Sequence, residues 1–69
     1  MSSIEIGTRI INYDVVLGIP GSAVFNLKRN QKISVVKLDD KYTRALVAIN
    51  GKETLINYRM LERISNAST

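Results

Sequence analysis

The pair Asn50-Gly51 constrains this chain more than any other feature. It sits between residues 42–49 and 52–58, two runs rich in apolar and β-branched side chains. Asn-Gly suits a type I′ turn because both central residues must accept a positive φ. A two-residue loop fixes the register of the hairpin it closes. Ile49 then faces Lys52, Ala48 faces Glu53, Val47 faces Thr54, Leu46 faces Leu55 and Ala45 faces Ile56.

Side chains alternate across a strand, so this register sorts the hairpin into two faces. Thr43, Ala45, Val47, Ile49, Ile56 and Tyr58 form the more continuous apolar set and are assigned to the interior. Tyr42, Arg44, Leu46, Ala48, Glu53, Leu55 and Asn57 fall outside. Leu46 and Leu55 meet across the strands there, bordered by Arg44, Glu53 and Asn57; this face is either a contact surface or covered by the long loop, through Val15 to Leu17 or Ile19. Burying both leucines would contribute on the order of 3–5 kcal/mol, comparable with the whole stability of so small a domain.

The remaining chain reads as further strands. Ile4, Ile6, Thr8 and Ile10 alternate with Glu5, Gly7, Arg9 and Ile11. This period of two predicts a first strand over 4–11, with Gly7 marking a bulge or a close backbone approach. Val15-Val16-Leu17 leads into Gly18-Ile19-Pro20-Gly21-Ser22, a surface turn rather than a phosphate loop, since no Gly-Lys-Ser/Thr ending follows. Residues 28–32 (Lys28, Arg29, Asn30, Gln31, Lys32) form a basic turn. Residues 33–38 form a strand whose alternation slips at Val35-Val36, the trace a β-bulge leaves. Asp39-Asp40-Lys41 is the next turn, with Asx side chains able to bond the backbone. Residues 58–61 are expected to make one 3₁₀ turn before a short last strand over 62–64, and 65–69 a frayed tail.

Sixty-nine residues make one domain near the lower limit for independent folding. A core this small often needs a partner subunit, so self-association is an expectation from size alone. The chain has no cysteine and no histidine, which excludes disulfides, thiolate chemistry and the commonest general base and metal ligand. No metal and no cofactor are expected. Asp14, Asp39, Asp40, Glu53 and Glu62 form no catalytic arrangement, and Ser22 and Ser34 lack a base to activate them. The reading is therefore non-enzymatic. No apolar run approaches the ~20 residues needed to span a bilayer, and Met1-Ser2-Ser3 before Glu5 lacks the order of a signal peptide. A cytoplasmic location is expected.

Leu27-Lys28-Arg29, the strand over 33–38, the hairpin at Asn50-Gly51 and Tyr58 to Leu61 follow one another in an order that resembles bacterial SH3-type domains. The resemblance implies an all-β, SH3-like barrel of about five antiparallel strands with a 3₁₀ turn before the last. It covers roughly 27–64 well and the first third loosely. Peptide-binding SH3 domains grip polyproline with aromatic residues, whereas this chain has no Trp and only Tyr13, Phe25, Tyr42 and Tyr58. Gly7-Thr8-Arg9-Ile10 and Leu61-Glu62-Arg63-Ile64 are also similar to the two ends of the plasmid-borne, trimethoprim-resistant dihydrofolate reductases, which are SH3-like tetramers. Those enzymes depend on a Val-Gln-Ile-Tyr run, and Leu55-Ile56-Asn57-Tyr58 keeps only the tyrosine. The oligomeric habit is the part of that likeness retained.

The expected function is a small binding module, an accessory subunit or inhibitor of the kind plasmids and phages encode. It acts through protein–protein contacts at Leu46, Leu55, Arg44, Glu53, Tyr42 and Asn57, with a homo-oligomer in view. The runner-up is a nucleic-acid-binding domain of KOW type, using Lys28, Arg29 and Lys32, in a chain of net charge +4. An oligomeric small-ligand-binding protein or enzyme with a site between subunits comes third.

Overall fold

The computed structural model describes residues 4–18 and 24–68. In chain order its elements are β1 (Gly7–Ile11), β2 (Val15–Gly18), β3 (Val24–Leu27), β4 (Lys32–Asp39), β5 (Arg44–Ile49), β6 (Lys52–Asn57), helix α1 (Tyr58–Ile64) and β7 (Ser65–Ala67). The class is mostly β. Five strands form one antiparallel sheet in the order β6-β5-β4-β1-β7, and β2 pairs with β3 in a separate two-stranded sheet. The described residues thus hold seven strands, two more than the sequence suggested. β2, β3 and β7 are new, and the strand expected over 62–64 is absent, its residues lying in α1.

The hairpin at 50–51 has the register read from the sequence at every position from Ile49↔Lys52 to Ala45↔Ile56. Asn50 and Gly51 take φ of 51° and 81°, the left-handed values a type I′ turn demands. The inward set is buried, with Ala45 and Val47 fully enclosed and Ile49, Thr54, Ile56 and Tyr58 nearly so. Thr43 is the exception and corrects the face assignment. It lies exposed in the turn before β5 with φ 49°, where its carbonyl accepts from the Tyr58 N–H at 2.8 Å. The β4–β5 register shifts between Val35 and Lys37, which is the expected bulge. It leaves Val36 exposed while Val35 stays inside.

The first strand is shorter than 4–11 and runs in the opposite phase. Arg9 and Ile11 face the interior beside Ile33, while Ile6 is 64% exposed and Thr8 points outward. Gly7 explains the inversion. Its φ of 140° belongs to glycine, and it separates buried Ile4 from the strand so that alternation restarts out of step. No heavy atom beyond its chain neighbours lies within 4 Å of a Cβ built there, so backbone conformation and not close packing calls for glycine.

The C-terminal region also differs. Residues 58–64 form an α-helix, not a single 3₁₀ turn followed by a strand over 62–64. Asn57 caps it, its side-chain oxygen accepting from the Met60 N–H at 2.7 Å. Tyr58, Leu61 and Ile64 recur at helical spacing and are all buried. Seven residues would not hold a helix in isolation; the cap and this buried face supply what length does not. The expected frayed tail is instead β7, paired with β1 from Ile11↔Ser65 to Arg9↔Ala67, and the Ser68 N–H donates to the Thr8 carbonyl at 3.0 Å. The turn expected over 18–22 lies, beyond Gly18, outside the described residues.

Candidate functional site

The outer side of β4, β5 and β6 is an ordered grid. Its central row runs Lys37–Leu46–Leu55, flanked by Asp39–Arg44–Asn57 on one side and Ser34–Ala48–Glu53 on the other. The antiparallel register alone produces these rows, because residues directly opposite one another share a face. Leu46 is half-buried and Leu55 is 47% exposed. Lys37, Leu38, Asp39, Leu46 and Leu55 line an open depression of about 400 Å³. A second, of about 180 Å³, lies around the β6 edge between Leu55, Ile56 and Asn57 on one side and Leu17, Gly18 and Met60 on the other. The β2–β3 hairpin therefore lies beside β6 and leaves Leu55 accessible.

Five of the six residues singled out from the sequence, Leu46, Leu55, Arg44, Glu53 and Asn57, meet on this face. Tyr42 stands just before it, 59% exposed in the turn. Its ring lies beneath two cations, with the Arg44 guanidinium carbon 5.1 Å and the Lys41 nitrogen 5.4 Å from its centroid. Arg44 Nε also meets Asp39 Oδ2 at 3.2 Å. Both partners are solvent-accessible, so this ion pair orients Arg44 more than it stabilises the fold. Asp39 holds the turn as an Asx residue, accepting from the Tyr42 N–H at 3.4 Å through Oδ1.

Lys37 and Asp39 belong to the site, yet sequence reasoning left them out. The signal was present in the slip at Val35-Val36, because a bulge reverses which residues of β4 look outward. Its position relative to β5 depended on a pairing that local alternation does not encode.

The basic turn is tied to the body of the protein. Asn30 takes φ 71°, its N–H donates to the Ile11 carbonyl at 2.8 Å, and the Arg29 N–H donates to Asp14 Oδ1 at 2.8 Å. Lys28, Arg29 and Lys32 are exposed. Of the three, Arg29 adjoins the Asp14 carboxylate through its backbone N–H, and Phe25, the aromatic nearest them in sequence, is buried in the core where it cannot stack on a base.

Two polar groups inside the fold shape its electrostatics. Arg9 is buried, and desolvation lowers its pKa against the opposing attraction of Glu62. The Tyr58 hydroxyl donates to Asp40 Oδ1 at 2.7 Å. Burial first, and then the adjacent Asp40 carboxylate, push its pKa up to about 12. Arg9 lines a small depression of about 110 Å³ together with Glu5, Thr8 and Ser68. Among the described residues there is no cluster of three or more carboxylates able to hold a metal ion, and no helix long and apolar enough to cross a membrane.

The chain matches no protein-family model, no curated protein and no solved structure. What the site can do is read from its own geometry.

Proposed function

We propose that this chain is a small, non-enzymatic binding module of SH3-like type, acting in the cytoplasm through protein contacts on the outer face of β5 and β6. The strand order supports the SH3-like reading: β7, β1, β4, β5 and β6 lie side by side, and the β2–β3 hairpin is inserted after the first of them in sequence. The observation that carries the function is the Leu46↔Leu55 pair, an apolar centre placed across two strands and rimmed by Lys37, Arg44, Glu53 and Asn57. Protein interfaces combine an apolar centre with a polar rim in this way, and Tyr42 and Arg44 are residue types enriched in them.

The test is capture of partners from the native cell by wild type and by Leu46→Glu, with circular dichroism to establish that the variant folds. A partner held by wild type and lost by the variant supports this surface, and one held equally by both removes it. A variant with Lys28, Arg29 and Lys32 all changed to Gln serves as the control for nucleic-acid binding. The tie to Asp14 and the buried Phe25 give that second reading no support of its own.

A further inference from the structure

The other notable feature of β6 is its backbone. Hydrogen bonding in an antiparallel pair alternates, so every second residue of an edge strand turns its N–H and C=O away from its neighbour. The phase is fixed here: the Tyr58 N–H donates to the Thr43 carbonyl at 2.8 Å. Residues 52, 54, 56 and 58 therefore bond toward β5, while Glu53, Leu55 and Asn57 direct their backbone groups outward. Among the described residues, no strand pairs with β6 on that side; Leu17 and Gly18 of β2 lie next to it across a depression shared with Leu55, Ile56 and Asn57 and form no ladder with it. An unpaired edge with an exposed leucine at its middle is a template for another strand.

We propose that β6 pairs with β6 of a second copy of this chain, antiparallel about a two-fold axis at Leu55. This deepens the contact-surface reading above, of which it is a special case, by naming the partner. Residues facing one another must share a sheet face, which limits the centre to a residue and not a peptide bond. Centring on Thr54 would set Glu53 against Leu55 and Lys52 against Ile56. Centring on Leu55 sets Leu55 against its own copy and Glu53 against Asn57, leaving Lys52 outside the segment of outward-facing residues.

Only the second register is self-complementary. The Leu55 N–H groups donate to each other's carbonyls across the axis, and each Asn57 N–H donates to the opposite Glu53 carbonyl. The Asn57 carbonyl is excluded because a helix N-cap residue accepts the first bond of its own helix. On the outer face, Leu46–Leu55 of one copy becomes continuous with Leu55–Leu46 of the other, ended on each side by Lys37. Each Glu53 carboxylate meets a neutral amide with Arg44 beyond it, and no like charges oppose one another. The interface is small, so association is concentration-dependent.

Two measurements test this. Light scattering from about 10 µM to about 1 mM should show wild type passing from monomer toward dimer, a mass-action response. Leu55→Pro, which removes an N–H unused within the chain, should remain monomeric throughout. Because the protein contains no cysteine, Leu55→Cys gives a unique attachment point. A short bis-maleimide should link that variant into a covalent dimer and leave Lys41→Cys, in the remote turn, as monomer. Wild type that stays monomeric over the range, or cross-linking equal at the two positions, overturns the proposal even if Leu55→Pro fails to fold. A different protein captured by wild type and lost with Leu46→Glu would then leave the contact surface standing without self-pairing.

Discussion

Arg9 on β1 and Ser65 at the end of α1 are joined twice: Arg9 Nε donates to Ser65 Oγ and Nη2 to the Ser65 carbonyl, each at 2.8 Å. Ser65 Oγ in turn donates to the Leu61 carbonyl at 2.7 Å. Residues 56 positions apart thus fasten the helix end to the first strand. Removing one member leaves a buried guanidinium short of an acceptor, so Ser65→Ala should cost about 1–3 kcal/mol. In a domain this size each kcal/mol lowers Tm by about 4–8 °C. The double variant Arg9→Met/Ser65→Ala should lose less than the sum of its single changes, since no charge is then left unpaired. Urea titrations of all three variants measure the coupling, and strict additivity would contradict it.

Alkaline stability should depend on Tyr58. Its folded pKa of about 12 lies above the ordinary value of 10.0, so folding favours the protonated phenol. That contribution is full below pH 10 and is lost as the pH rises toward 12. Wild type should weaken through that interval, and Tyr58→Phe should weaken less steeply. Denaturant midpoints across the interval, alongside the tyrosinate absorbance, read both quantities.

Gly51→Ala should destabilise the hairpin by about 1–2 kcal/mol, the cost of a left-handed conformation for a residue with a Cβ. The cost is conformational, because a Cβ there would meet no heavy atom within 4 Å beyond its chain neighbours. The urea midpoint should fall with an unchanged slope; a changed slope would mean that the denatured or native ensemble had altered as well.

Loss of the helix cap provides a separate check on α1. Asn57→Ala removes the acceptor for the Met60 N–H and should cost about 1 kcal/mol, whereas Asn57→Asp retains an oxygen there and should cost much less. Equal losses in the two variants would show that the cap is not what holds the first turn.

The proposed contact face was largely legible in advance. Leu46, Leu55, Arg44, Glu53 and Asn57 could be placed together because one turn, of known chemistry, sets the register of two adjacent strands. Lys37 and Asp39 could not, since they join the face through the β4–β5 pairing and a bulge whose alignment is a matter of three-dimensional packing. Arg9 was the least accessible to sequence reasoning. Its alternation with isoleucines on either side suggested a solvent-facing position, and only the helix end arriving from the far terminus makes its burial tolerable.

The sequence by itself determined the reversal at Asn50-Gly51, the two faces of β5 and β6, and the slip in β4, because each depends on backbone preferences over a few consecutive residues. The tertiary structure decided which side of β1 is buried, that residues 58–64 complete a helix, and that 65–67 pair as a strand. Those outcomes depend on contacts between segments remote along the chain, where a neighbour supplied by folding outweighs local propensity.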